Sequence, residues 1–592
     1  MIHQKPNTRQ HRSPSDCPSP TPPNPTLFNP LTPLTPMQNQ SNTFKIGLCM
    51  AGAVSAGAYT AGVLDYLIEA LEEWQRRKDQ NLPNTPSHQV EIPVIGGASA
   101  GGMTAIIAAA ALQDPFEPLR TLPHNILEPQ AQNPFYHAWV DQLGPDMLSM
   151  LLNTSDISKQ NGIKSALNSD FIDKIADKAL KVSSNPSVPR PYLPHNTKLF
   201  VTLSNLEGMD FSVTFKSNSP AFNRYKVSAH TDFACFKLAA SEQDYSNDGW
   251  IPLNFKTQVN AELARQAAMA TGAFPLGLKA RTLSRKSQHM NDLSWLFHIT
   301  KSAKNPFPDQ NYHSVHVDGG MINNEPFDKI RELLCQETGQ SPEQAQDYQE
   351  FKSTVLMIDP FPSEPGQFNS STDLLNIMGN TLGAMLGQAR LKDSTLIDAM
   401  DSSKAGQFLI APVRHRPTSQ GSEAIEGKKA IACGALGGFG GFISKEFRIH
   451  DYFLGRANCE IFLRHHFTVP QHSSNPIFQE GYAHIEDKQR FTSRTDGGLQ
   501  IIPLFSEPQA GPYMPQFANG ERWPSIAPQQ LRGYRSKIKA RVQKTLFHLL
   551  NLSPMQRFLL WIGAKVVLNG KIADSLLSTV QKSLQDQGLL QK

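Results

Sequence analysis

From Phe44 onward the apolar residues fall into short blocks with two alternating periods. Residues 44–50, Phe-Lys-Ile-Gly-Leu-Cys-Met, read as a short buried strand. A glycine and alanine turn follows. Residues 58–71 then place Val63, Leu64, Leu67, Ile68 and Leu71 at helical spacing. After a polar, charged loop the order repeats, with a strand at 90–95, a small-residue turn and an alanine-rich helix at 103–112. Further apolar strands are expected at 199–203, 315–317 and 355–358. Strand–helix–strand–helix predicts an α/β fold: a mainly parallel sheet with helices on its faces. The first folded domain is read as residues 44–361.

Three stretches depart from that alternation. Residues 1–43 are dominated by Pro, Ser, Thr, Asn and Gln, and residues 18–25 read PSPTPPNP. Such a segment buries too little apolar surface to offset its chain entropy, so it is read as disordered, with a polyproline ligand as the alternative. Residues 113–190 are interrupted by prolines and carry helical pieces at 146–152 and 171–180. That is too long for an ordinary loop; it is either a cap over a site or a packed insertion. Residues 362–530 are read as a mainly helical extension and 531–592 as a basic amphipathic tail.

The tail changes the charge picture. It holds eleven Lys and Arg against two Asp and Glu, leaving 45 against 50 in residues 1–530, so the whole net charge of +4 resides there. Tyr534, Ile538, Val542 and Leu546 recur every four residues, while Arg535, Lys537, Lys539, Arg541 and Lys544 take other faces. Pro554 then breaks the helix, and residues 558–568 are apolar but short. This pattern suits either peripheral contact with an anionic membrane or a packed helix with a solvated basic face. The total charge is too small to imply a nucleic-acid partner. No run of 18 apolar residues and no apolar leader is present, so neither a membrane span nor a secretory signal is expected. The six cysteines include no C-x-x-C pair, which fits a reducing, cytoplasmic setting.

The sharpest chemical signal is Gly97-Ala98-Ser99-Ala100-Gly101, between an expected strand and an expected helix. In that context G-x-S-x-G forms a nucleophile elbow: the serine sits in a strained turn, and glycines two residues either side remove the clash. A serine hydroxyl needs a base. A late histidine would supply one in a triad. A carboxylate would do so in a dyad, and Asp318 leaves the end of a short strand and is followed by Gly319 and Gly320. The small-residue turn Ala51–Gly57 could aim the N–H groups of Gly52, Ala53 and Val54 at a developing oxyanion. Phosphate-binding alternatives fail. Gly57 is followed by Ala58 and Tyr59 rather than Lys and Ser/Thr, and G-x-G-x-x-G is absent.

In this order the three pieces resemble the patatin-like phospholipase family. A glycine-rich loop comes first (Gly52 to Gly57, running into Ala58-Tyr59-Thr60-Ala61-Gly62), then Gly97–Gly101, then Asp318-Gly319-Gly320. Met321-Ile322-Asn323-Asn324-Glu325-Pro326 is similar to the family's sequel to the aspartate, and Thr271-Gly272-Ala273-Phe274-Pro275 to its preceding segment. The resemblance covers about residues 44–361. It implies a three-layer α/β/α fold, with Ser99 as nucleophile, Asp318 as general base and the loop at Gly52, Ala53 and Val54 as oxyanion hole. It further implies hydrolysis of acyl esters of lipids through an acyl-enzyme, with no metal and no cofactor. Acyl transfer or a non-lipid esterase on the same dyad, and a scaffold that keeps the fold, are the alternatives. The family loop usually carries two more glycines and a basic residue where this chain has Ala53, Val54 and Ala56. Backbone N–H groups survive that change, and a cationic contact from the loop does not.

In the extension, Gly437-Gly438-Phe439-Gly440-Gly441-Phe442 precedes an amphipathic helix from Phe447. His450 and Asp451 there project about 100° apart and are expected not to share a face, which points to a structural role. His465-His466 has no evident third metal ligand.

Overall fold

The computed structural model describes residues 42–591 except 116, 123–127, 129–131, 159–161, 184, 186–187, 217, 219–223, 276, 303–305, 363–376, 378–404, 420, 508–510 and 550–568. The Pro-rich segment read as disordered lies outside the described residues up to 41, as do Pro554 and the apolar stretch 558–568.

Among the described residues, nine strands form one sheet. They are β1 (Thr43–Met50), β2 (Gln89–Gly97), β3 (Lys198–Thr214), β4 (Arg224–Leu238), β5 (Ile251–Leu253), β6 (Arg281–Lys286), β7 (Asn311–Asp318), β8 (Ser353–Ile358) and β9 (Gln407–Ile410). The order is β5-β4-β3-β2-β1-β8-β9, with β7 joined to β3 and β6 to β7. The pairs β1–β2, β1–β8, β2–β3, β8–β9 and β4–β5 are parallel; β3–β4, β3–β7 and β6–β7 are antiparallel. The sheet is therefore mainly parallel, as the alternating blocks predict. It also runs past residue 361, because β9 comes from the region read as a separate extension.

Strand residues alternate between two apolar layers. Leu48, Ile95 and Val201 belong to the layer that includes α1 (Gly57–Asp79) and α2 (Ser99–Ala111). Cys49, Val94 and Phe200 face the opposite layer. The 113–190 insertion contributes α3 (Met147–Leu151) and α4 (Ile172–Ala179). Next come α5 (Ala261–Thr271) and α6 (Phe327–Thr338), whose Ile330, Leu333 and Leu334 close the second layer. The result is a three-layer α/β/α domain.

The extension adds α7 (Lys445–His465), α8 (Arg535–Leu549) and α9 (Asn569–Asp586), together with a hairpin of β10 (Val413–Thr418) and β11 (Gly421–Glu426). α7 lies on α1. Arg456 pairs with Asp65 and Glu69, and Tyr59 donates to Asn458 Oδ1 at 3.0 Å. Asp451 is wholly buried and accepts the N–H groups of Ala432 and Cys433, both at 2.8 Å. His450 and Asp451 do meet, Nδ1 to Oδ1 at 2.8 Å, against the expectation from helical geometry. The short carboxylate leans across to the 432–433 turn, and that brings its edge within reach of the neighbouring ring. Both side chains are wholly buried.

The basic face of α8 is largely engaged. Arg541 is buried, ion-paired to Asp156, and donates to the carbonyls of Asn153, Ala166 and Ser165. Lys544 donates to Thr154 O at 2.7 Å, and the Tyr534 hydroxyl donates to Asp146 Oδ1 at 2.9 Å. The tail thus clamps residues 146–166 in the middle of the insertion. Among the described residues no helix is long and apolar enough to cross a membrane.

Candidate active site

The site assembles at the ends of β1, β2 and β7. β2 terminates at Gly97, and Ser99 opens α2 with φ of 49°, the left-handed region that L-residues seldom adopt. That strain marks a nucleophile elbow. The tight turn needs its flanking glycines. A Cβ on Gly97 would come within 2.7 Å of the Gly101 carbonyl carbon, and one on Gly101 would collide with the Met50 carbonyl. The Ser99 N–H donates to Thr271 Oγ1 at 2.9 Å, tying the elbow to the end of α5.

The Ser99 hydroxyl donates to Asp318 Oδ2 at 2.6 Å, although 219 residues separate the two in sequence. Such a length is that of a charge-assisted O–H···O⁻ bond. The other carboxylate oxygen, Oδ1, accepts the Gly320 N–H at 2.8 Å, so the turn holds the acid with one oxygen facing the serine. The Asp318 backbone is fixed on both sides: its N–H donates to Ala273 O at 2.9 Å and its carbonyl accepts from Ser204 Oγ at 2.8 Å. A Cβ on Gly319 would strike the Thr202 carbonyl.

The loop after β1 packs directly on the serine. Gly52 lies so close that a Cβ there would be 3.0 Å from Ser99 Cβ and would collide with Asn324 Oδ1. Among the described residues the N–H groups of Gly52 and Ala53 have no acceptor, whereas that of Ala51 is taken by Ile358 O. Val54 has φ of 49°, an outlier for a β-branched residue. The loop is clamped from the extension: Ser55 Oγ donates to Gly438 O and accepts the Gly441 N–H at 3.0 Å. Arg448, itself buried, donates to the carbonyls of Gly441, Val140 and Gly144 and so links this glycine segment to the insertion.

Above the pair lies a chamber of about 90 Å³, lined by Ser99, Asp318, Val54, Ala100 and Met103 below and by mostly apolar side chains above. Trp139, Leu143, Met147, Ile172 and Ile175 come from the insertion, and Phe439 and Phe442 from the extension. Lys279 and Arg281 are its charged walls. Among the described residues no histidine lines it. A second, mostly apolar cavity of about 750 Å³ adjoins at Leu278 and is lined by Val317, Met321 and Ile322 beside the aspartate.

The residues expected to form the site are therefore in one place: Ser99, Asp318, Gly97, Gly101, Gly319, Gly320, Gly52, Ala53 and Val54. Missed were Lys279, Arg281 and Trp139, and Phe439 was seen only as part of a glycine-rich stretch. Thr271 and Asn324 stood in quoted motifs with no role attached.

A hydroxyl–carboxylate pair at an elbow, under an apolar roof on an α/β/α sheet, defines a class of serine hydrolase-like site. A family model described as Patatin-like phospholipase matches residues 48–330. A protein of Sinorhizobium fredii (strain NBRC 101917 / NGR234), named Uncharacterized protein y4iI, is 30% identical over 548 residues, covering 84% of this chain and 75% of that one. The chain belongs to the patatin-like phospholipase family, whose members are generally lipid acyl hydrolases.

Proposed function

We propose that the chain hydrolyses acyl esters of lipids, phospholipids among them, through a Ser99–Asp318 dyad and an acyl-enzyme. The observation that carries this reading is the 2.6 Å bond from the Ser99 hydroxyl to Asp318 beneath an apolar chamber. Asp318 takes the hydroxyl proton as Ser99 Oγ attacks the ester carbonyl. The negative oxygen of the tetrahedral intermediate faces the N–H groups of Gly52 and Ala53 and the start of α2. The intermediate collapses, the C–O bond to the alcohol breaks, and the alcohol leaves with the proton held by Asp318. Water then repeats the sequence on the acyl-serine and releases the fatty acid. The dyad is favoured over a triad because the chamber wall offers no histidine among the described residues. The 750 Å³ cavity beyond Leu278 falls within the size range of lipid-sized ligand sites and gives an acyl chain somewhere to lie. On α8 the exposed Arg535 pairs with Asp574 and the exposed Lys537 with Asp146, so an anionic membrane would reach this helix in competition with those carboxylates.

The test is a lipid hydrolysis screen run with the native chain, Ser99→Ala and Asp318→Asn, alongside labelling by a fluorophosphonate. Native chain should release fatty acid and label. Ser99→Ala should do neither, and Asp318→Asn should lose about 10²- to 10⁴-fold in rate, the usual worth of a general base. Full activity in Asp318→Asn would overturn the dyad.

A further inference from the structure

The chamber over Ser99 is roofed in part by α4, a half-buried helix tied to the body of the domain by a row of ion pairs. No residue of α4 is fully buried. Its Ile172 and Ile175 line the chamber, and Ile175 and Ala179 pack half-buried against the main apolar cluster. Asp170, Asp173 and Asp177 follow one another at intervals of three and four, so they run along one face. Each meets a base on the body of the domain. Lys279 Nζ lies 2.9 Å from Asp170 and 3.1 Å from Asp173, Arg281 lies 2.6 Å from Asp173, and Arg265 lies 3.2 Å from Asp177.

The two halves of these pairs are unequal. Lys279 and Arg281 line the chamber, with side chains 22% and 12% exposed, whereas the Asp170 side chain is 60% exposed on the outside. Burial raises the Asp173 carboxyl, and pairing with Arg281 and Lys279 outweighs it, leaving the group below its ordinary range. Further ties lie at the ends of the segment. Leu167 N donates to Gly277 O at 3.0 Å, Lys279 N to Ser169 Oγ at 3.3 Å, and Ser183 Oγ to Asp114 Oδ1 at 2.7 Å. The neighbouring α3 stretch of the insertion is strapped by α8. Between these anchors α4 meets the body of the domain through its ion pairs and through Ile175 and Ala179. The chamber of about 90 Å³ is well below the roughly 300–1,000 Å³ of ordinary ligand sites, and lifting α4 would widen it on the side of Lys279 and Arg281.

We propose that Lys279 and Arg281 form an anion subsite in the wall of the ester pocket, that Asp170 and Asp173 fill it in the resting protein, and that the anionic headgroup of a lipid, its phosphate first, displaces them and lifts α4 off Ser99. The inference rests on the acyl-ester reading above and adds the headgroup class and the means of opening. Partly exposed ion pairs each shift an equilibrium by about fivefold or less, so one well-placed anion suffices to compete.

The experiment measures the rate at which a bulky fluorophosphonate labels Ser99 in the full chain. Phosphatidylglycerol vesicles should raise that rate about threefold or more, the scale of two or three such pairs, and vesicles of digalactosyldiacylglycerol, which carries no phosphate, should not. The double variant Asp170→Asn/Asp173→Asn should label fast without vesicles. Equal acceleration by both vesicle types, or a double variant that labels at the native rate, would overturn the proposal. Acceleration by inorganic phosphate equal to that by vesicles would overturn the lipid source and assign the subsite to free phosphate. In a Ser99→Ala background, Lys279→Gln/Arg281→Gln should sediment less with phosphatidylglycerol vesicles than its parent; unchanged sedimentation counts against the subsite. That arm still reads the subsite if no form of the chain labels, an outcome that would defeat the nucleophile reading instead.

Discussion

The reach between the Ser99 oxygen and its surroundings is set by residues with almost nothing to give. Gly52 is wedged between Ser99 Cβ and Asn324. Gly52→Ala must push one of them aside, and either move spoils the geometry around the oxyanion position. The rate should fall by about 10²-fold, the scale of one lost oxyanion donor, while the urea midpoint stays near native. A second residue-scale prediction concerns acid. His88 is fully buried, its Nε2 bonded to Ile501 O at 2.9 Å. Burial, reinforced by Lys78, outweighs that hydrogen bond and pushes its pKa down to about 3. The native ring thus stays neutral where the unfolded one, titrating near 6.5, takes up a proton. The contribution of His88 to stability is present above pH 6.5 and is lost on the way down to about pH 3, by about 1.4 kcal/mol per pH unit. Urea unfolding from pH 7 to pH 4 should show His88→Gln with the shallower decline. Ser99 and Asp318 are legible in the sequence because strand, turn glycines and reactive residue are contiguous. Thr271 and Asn324 are not, since what they do depends on where α5 and the β7 turn land in space.

At the scale of elements, the two regions beyond the core sheet are both structural partners of the site. The 113–190 insertion supplies Trp139, Met147 and Ile172 to the chamber. The loop at 51–57 is held by the 437–442 segment through Ser55. Ser55→Ala leaves the buried Gly441 N–H without its acceptor, an expected loss of about 1–3 kcal/mol. Activity should drop further than stability does at temperatures where the chain is still folded, because Val54 is held at positive φ by that same clamp. Periodicity located α8 correctly, but not its use. Arg541 reads as one basic residue among five, and only the fold brings Asp156 and three carbonyls to it. Arg541→Met would strand Asp156 and those acceptors. Removing one partner of a buried pair costs about 3–5 kcal/mol, and limited proteolysis should then cut within 535–549 first.

Across the whole molecule, residues 42–361 do not carry a complete core of their own. Phe44 at the start of β1 touches Phe351 and Phe478, with ring centroids 4.8 and 5.3 Å apart, and His88 packs against Phe478 and Tyr482. One continuous apolar cluster runs from Phe44 to Leu589 and includes Phe447, Ile449, Tyr452, Phe453, Leu463 and Phe467 of the extension. A large apolar side chain contributes about 1.5–3 kcal/mol on burial, so those six alone amount to about 9–18 kcal/mol. That matches or exceeds the roughly 5–15 kcal/mol by which a native protein is stable. Cutting the chain after residue 361 would also bare the outer edge of β8 and leave Asp65 and Glu69 on α1 without Arg456. Similarity to the Sinorhizobium fredii protein spans 84% of this chain, well beyond the 48–330 match, as expected if the fold needs both parts. A chain ending at residue 361 should therefore be insoluble or lack a cooperative unfolding transition, and should not label with fluorophosphonate. Supplying residues 405–592 as a separate polypeptide during refolding should restore both. A soluble, cooperatively unfolding 42–361 fragment would show instead that the family core folds alone and that the extension only dresses the site.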